Sequence, residues 1–197
     1  MTPADPPLTR ERILAAAEEV IRRFGPAKAT VVDLARALGV SHAAVYRHVA
    51  SKAELRDLVV GRWVEATMAP LRAVVAQPGP APQRLRRYFD ALIAAKRRRA
   101  ADDPELFAAY RTLAADAQSV VAAHLEELVG LAAGIIRSGT EEGSFGAVEP
   151  EAAGRAVLFA TSRFHHPAHA AEWTDPTLDS AYEEVWRLLM DGLRGGR

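Results

Sequence analysis

The sequence predicts an all-α protein, with an N-terminal three-helix unit carrying a helix-turn-helix and a larger helical body behind it, about nine helices in total. Three observations carry that prediction. Ala, Leu, Arg and Glu dominate, apolar residues recur at three- and four-residue spacing, and the period-two β-branched and aromatic runs that mark strands do not occur. With 197 residues, 49% of them hydrophobic, the chain can bury one core or a small module joined to a larger one.

Thr9 is placed to cap the first helix, with Glu11 and Arg12 in its first turn. Ile13, Ala17, Val20, Ile21 and Phe24 fall on one face before Gly25-Pro26 stops it. The second helix is short. Thr30 caps it, Asp33 stands three residues on as in a capping box, and Val31, Leu34, Ala35 and Leu38 make its apolar stripe. Gly39 ends it, and Ser41 caps a third helix that runs from His42 to about Val49 or Ala50. Two short helices joined by a glycine turn make the helix-turn-helix unit, with Val40 and Val45 directed to the core. That leaves Ser41, His42, Ala43, Ala44 and Arg47 outward, with Tyr46 and His48 at the edge. Side chains that are small or hydrogen-bonding suit a helix entering a DNA major groove about 12 Å wide.

The fourth helix carries Val59, Trp63, Met68 and Leu71 to near Ala76, where Gln77-Pro78-Gly79-Pro80-Ala81-Pro82 interrupts it. Further helices are expected at about 82–99, 103–116, 118–139, 150–165 and 177–194. No apolar run approaches the roughly 20 residues of a membrane span. Met1 to Pro7 lacks a basic segment followed by an apolar one, so neither a leader nor a membrane partner is expected.

The motifs in residues 9–62 resemble the DNA-binding domain of the tetracycline-repressor family. They are Thr9-Arg10-Glu11-Arg12-Ile13-Leu14, Phe24-Gly25, Thr30-Val31-Val32-Asp33-Leu34-Ala35, Leu38-Gly39-Val40-Ser41, Val45-Tyr46-Arg47-His48-Val49 and Ser51-Lys52-Ala53-Glu54-Leu55. The resemblance implies a third helix in the major groove, with phosphates clamped by the cap of the second helix and the start of the fourth. Carried over by position, it makes His42, Ala43 and Ala44 candidate base readers. Thr30, Ser41, Tyr46, His48 and Lys52 become candidate phosphate contacts, and Arg47 completes the DNA-contacting set. The residue chemistry agrees: His42 can donate to guanine N7 or O6, the alanine methyls can pack on a thymine methyl, and Lys52 offers an ammonium beside a helix N-terminus. Gly139-Thr140-Glu141-Glu142-Gly143-Ser144-Phe145, followed by Glu149-Pro150-Glu151-Ala152-Ala153, resembles the segment joining the seventh and eighth helices of the same family.

The division expected is a DNA-binding domain at 1–55 and a ligand-binding and dimerisation domain at 56–197. One recognition helix reads only a few base pairs, so the resemblance implies a homodimer with recognition helices about 34–36 Å apart on double-stranded operator DNA. Ala153, Val157, Ala160 and Thr161, with Leu178, Ala181, Val185, Leu188, Leu189 and Met190, are stripes for a four-helix intersubunit bundle or for the core of one chain. An unidentified small-molecule effector would enter helices five to eight. Candidate lining residues are Phe89, Leu92, Ile93, Phe107, Tyr110, Arg111, Phe159, Arg163, Phe164 and His165, the aromatic ones more ordinarily plain core, the two arginines able to meet an anion or a nearby carboxylate. Lys96-Arg97-Arg98-Arg99 reads as a solvated helix end compensating the dipole.

The formal charge of +0 is a cancellation: residues 1–62 hold 10 Lys+Arg against 7 Asp+Glu, and residues 63–197 hold 15 against 18. A basic head on an acidic body fits DNA. The absence of cysteine excludes disulfides, thiolate nucleophiles and zinc fingers and is compatible with a reducing cytosol, hence a cytoplasmic protein. His165, His166 and His169 are spaced poorly for a metal because Pro167 interrupts their helix; with Trp173 they read as a polar lid, and no metal or cofactor is expected. No glycine-rich phosphate loop, Gly-x-Ser-x-Gly or His-Glu-x-x-His occurs, so a non-enzymatic regulator, most simply a repressor, is the leading reading. The alternative is a small all-helical ligand-binding or scaffolding protein in which residues 28–52 form a plain helical hairpin.

Overall fold

The computed structural model describes residues 7–28 and 30–195, with the Lys28 side chain excepted; the segment read for a leader therefore lies, up to Pro6, outside the described residues. Among these residues there are ten α-helices, two short 3₁₀ helices and no strand. The helices are α1 Arg10–Phe24, α2 Val31–Leu38, α3 His42–Tyr46, α4 Lys52–Val75, α5 Ala81–Asp102, α6 Pro104–Asp116, α7 Gln118–Glu141, α8 Pro150–Ala160, α9 Ser162–His165 and α10 Leu178–Gly195, with 3₁₀ turns at Pro26–Lys28 and Pro167–Glu172.

The chain divides into two compact units, Met1–Val64 with Asp103–Val121, and Glu65–Asp102 with Ala122–Arg197. The first unit reaches past residue 55 and takes in α6, which packs on α1. Its core is Ile13, Leu14, Ala17, Val20 and Ile21 of α1, Val31, Leu34 and Ala35 of α2, Val45 of α3, and Leu55, Val59 and Trp63 of α4. Phe24, expected on the buried face, is 61% exposed. It is the last residue of its helix, and the Arg23 guanidinium lies over its ring at 5.3 Å.

In the second unit α5, α7, α8 and α10 supply most of the core. Its aromatic chain runs from Tyr88 through Phe89, Trp186 and Tyr182 to Phe164, with centroids 5.1, 5.8, 5.8 and 5.1 Å apart in turn. The Tyr88 hydroxyl donates to the Leu128 carbonyl at 2.9 Å. The helix expected over 150–165 is two helices. Thr161 leaves helical geometry at φ −93° and ψ 5°, and its hydroxyl donates back to the Val157 carbonyl at 2.8 Å, which competes with the backbone ladder and separates α8 from α9. α7 departs from another expectation, since by length and composition it is apolar enough to cross a membrane. It also carries Glu126, Glu127 and Arg137, and its apolar face, Leu128, Val129, Ala132, Ala133, Ile135 and Ile136, is buried in this unit.

After α7 the chain turns through Gly143 at φ 75°, and the amides of Ser144 and Phe145 donate to the Gly139 carbonyl at 2.8 and 3.0 Å. Phe145 then lies over the bare Cα of Gly139. A Cβ built there falls 2.6 Å from Phe145 Cε2 and 2.8 Å from Ala81 Cβ. Gly139→Ala is therefore expected to displace the buried Phe145 ring and cost about 1–3 kcal/mol in urea unfolding, whereas Gly130→Ala, with open space around it, should be neutral or stabilising.

Candidate DNA-contacting surface

Four caps build the surface. The hydroxyl of Thr9 accepts from the Arg12 amide, that of Thr30 from the Asp33 amide, that of Ser41 from the Ala44 amide and that of Ser51 from the Glu54 amide, at 3.0–3.2 Å. Glu54 reaches back to accept from the Ala50 amide at 2.6 Å and also pairs with Arg10, so the start of α4 is tied to α1. Between α2 and α3, Gly39 takes φ 66° and ψ 28°, and the Val40 amide donates to the Ala35 carbonyl at 3.0 Å. This left-handed cap turns the chain so that Val45 is fully buried while Ser41, His42, Ala43, Tyr46 and Arg47 stay exposed and Ala44, His48 and Val40 are half-buried.

The pattern of ion pairs sharpens the charge argument. Among the basic residues of the first 62, Arg10, Arg22, Arg36, Arg56 and Arg62 each pair with a carboxylate. Arg12 donates to the Pro7 carbonyl, and Arg23 stacks on Phe24. Neither Arg47 nor Lys52 makes an ion pair among the described residues, and both are exposed. The uncommitted cations thus sit at the end of α3 and the start of α4, beside the uncommitted donors His42, Tyr46 and His48. Thr30 differs from the expectation: its hydroxyl already donates to Asp33 Oδ2 at 2.6 Å, leaving the α2 N-terminus, rather than the side-chain proton, to face a phosphate.

The residues named for an effector pocket are divided between the two units, some buried and some exposed. Phe107 and Tyr110 belong to the first unit and pack on Trp63, with centroids 6.2 and 5.0 Å away. Arg111 is exposed, Phe159 is 54% exposed, and Arg163 is exposed and paired with Glu172 at 2.7 Å. Arg111 and Phe159 thus lie on outward faces of their helices, and Arg163 meets a nearby carboxylate, the second partner its sequence context allowed. Phe89, Leu92, Ile93, Phe164 and His165 are buried in the second unit. A cleft of about 550 Å³ in the first unit is lined by Ile21, Pro26, Lys52, Leu55, Arg56 and Leu113, none of them nominated. The three neighbouring histidines face different partners: His165 Nε2 lies 3.2 Å from the Leu158 carbonyl, His166 Nδ1 accepts from the Ala168 amide, and His169 Nδ1 meets Glu172 at 2.9 Å. Trp173 donates to the Arg163 carbonyl.

The model described as "Tetracyclin repressor-like, C-terminal domain" matches residues 81–186, more than half of the chain, and that described as "Bacterial regulatory proteins, tetR family" matches residues 13–59. The chain belongs to the tetracycline-repressor family. It is a DNA-binding transcriptional regulator of that family. Among solved structures, a transcriptional regulator from Pseudomonas aeruginosa PAO1 is similar at 20% identity and TM-score 0.72, over 94% of this chain and 90% of that one. The transcriptional regulator FadR of Bacillus subtilis, solved in complex with stearoyl-CoA, is similar at 16% identity and TM-score 0.64, over 93% of this chain and 99% of that one. PfmR of Thermus thermophilus, a TetR-family regulator, is similar at 26% identity and TM-score 0.54, over 94% and 98%. No curated protein matches the chain.

In this TetR-family chain the polar residues that sequence reasoning passed over are Lys96 and His124. Lys96, read as part of a solvated basic run, is 4% exposed on α5, with its Nζ 3.2 Å from Nε2 of the buried His124 on α7. Burial, reinforced by Arg99, pulls the Lys96 ammonium down to about 8. Burial, then Lys96 and His165, takes His124 down to about 3; burial, then Lys96, does the same to His165 against the opposing bond to Leu158. A helical periodicity count was the available signal: Phe89, Leu92, Ile93 and Lys96 share one face of α5.

Proposed function

We propose that this TetR-family chain acts as a homodimer on a palindromic duplex and, as a repressor, leaves it when a small molecule binds the helical body. The observation that carries the reading is the outward face of α3 and the α4 start. There the side chains of His42, Tyr46, Arg47, His48 and Lys52 hold no partner among the described residues, while five arginines elsewhere in residues 1–62 are paired. On this reading His42, Ala43 and Ala44 touch base edges, and Ser41, Tyr46, Arg47, His48, Lys52 and the α2 N-terminus at Thr30 hold phosphates. Residues 1–55 read DNA and residues 56–197 receive the ligand and the second subunit. Phe159 and Leu188, 54% and 75% exposed on α8 and α10, support the subunit contact. The stearoyl-CoA held by the Bacillus subtilis structure supports an effector in the body. The protein's work is binding, in a reducing cytosol, without cofactor or metal.

Selection from a randomised duplex pool, followed by anisotropy titrations across salt, tests this. Log affinity should fall steeply with log salt, and Lys52→Ala, which removes one phosphate contact from each subunit, should flatten the slope by about 1.8 with sequence preference intact. His42→Ala should instead relax preference at one base position by about 1–3 kcal/mol. A folded dimer that binds no duplex, or binds with no salt dependence, overturns the proposal and favours the non-DNA-binding alternative.

A further inference from the structure

The interior of the second unit holds an ammonium with no carboxylate opposite it. Lys96 Nζ has one hydrogen-bonding partner among the described residues, His124 Nε2 at 3.2 Å, and no ion pair. For that contact to form with the charged amine, Nε2 must accept, so the neutral imidazole carries its proton on Nδ1. His124 Nδ1 is itself buried and has no hydrogen-bond partner. Two ammonium N–H bonds and one imidazole N–H are therefore enclosed without acceptors. The other charged or titratable groups acting on these two residues, Arg99 on α5 and His165 on α9, are also basic.

A purely structural role explains this poorly. An enclosed, unpaired charge opposes folding, and Lys96 lies six positions before the end of α5, beyond the last turn where a cation relieves the helix dipole. A donor-only cluster is complemented by the oxygens of an anion. Phe89, Leu92 and Ile93 precede Lys96 on its helix face, and Leu128 follows His124 by one turn on α7, so the helix faces that carry the two nitrogens are otherwise apolar at these positions.

We infer that Lys96 and His124 form an anion-recognition site in the body, which takes the carboxylate of a small molecule with an apolar remainder. The inference rests on the effector reading above and supplies its chemistry. The carboxylate meets the ammonium as a charge-assisted hydrogen bond, and the apolar remainder lies along the α5 and α7 faces.

The test uses the full-length protein, straight-chain carboxylates from butyrate to decanoate and their uncharged primary amides, read by thermal stabilisation and by displacement from the selected duplex. At least one carboxylate should bind about 10- to 100-fold more tightly than its amide. In Lys96→Met that preference should vanish while duplex binding persists, and Lys96→Gln serves if the first variant does not fold. A structural lysine would leave the carboxylate-to-amide ratio unchanged in the variant, which would overturn the inference, as would equal binding of every acid and amide by the unaltered protein. Duplex binding that persists without any response to carboxylates sinks only this site. Carboxylate stabilisation without duplex binding keeps the site and sinks the regulator reading.

Discussion

Leu188→Glu is expected to convert the dimer to monomers and to remove specific DNA binding, with the protomer still folded. Leu188 is 75% exposed on α10, so its side chain contributes little to the core of its own chain, and Phe159 on α8, a helix that contacts α10, is 54% exposed. α8 packs against α10, and Ala160, Val185 and Leu189 on these helices are at least partly accessible, so the face offered to a second subunit would include them. A twofold interface over this face would enclose both glutamates, each costing several kcal/mol, so a single substitution acts twice. Light scattering should report the monomer and circular dichroism an unchanged helix content. A monomer reads one half-site, and its affinity for the selected duplex should drop by about 10³-fold or more. A Leu188→Glu protein that remains dimeric places the interface elsewhere.

Acid should unfold this protein through its interior histidines. His124 and His165 are held near 3 in the folded chain, far below the ordinary 6.5, so they remain neutral while the unfolded chain takes up protons. Stability is then fully present above pH 6.5 and is lost as pH falls toward 3, at about 1.4 kcal/mol per pH unit for each group. Lys96 adds a separate window. Its folded value near 8 lies below the ordinary 10.5, the unfolded chain binds more protons between the two, and stability rises across that interval. Lys96→Met should raise unfolding free energy at pH 7 by up to about 3 kcal/mol and abolish the alkaline rise; His124→Leu should flatten the acid limb. A melting temperature independent of pH from 4 to 7 would contradict the burial of these rings.

The surplus lysine and the acid-labile His124 share a cause: they meet across α5 and α7, helices that lie apart in sequence, so the partner of each is not read from its own stretch of chain. Lys96 stands first in a run of four basic residues, and its neighbours behave as such a run suggests, Arg97 pairing with Asp179 at 2.8 Å and Arg98 exposed. The separate fate of Lys96 follows from its register with Phe89 and Leu92. Arg111 and Arg163, each beside an aromatic residue, read locally as cations able to meet an anion or a nearby carboxylate; both turn to the surface, where Arg163 pairs with Glu172.

The helix-turn-helix was legible because its determinants act within four residues. Thr9, Thr30, Ser41 and Ser51 cap their helices by reaching three residues ahead, Gly39 alone suits a left-handed cap, and the alternation of Leu34, Ala35 and Val45 with polar residues places one face inward. Such terms are local and survive in any packing. The enclosure of Lys96 with His124 is a long-range outcome. It depends on which faces of α5 and α7 meet: the register with Phe89 and Leu92 places Lys96 on the inward face of α5, but the local pattern does not say that His124, 28 positions on, lies opposite it.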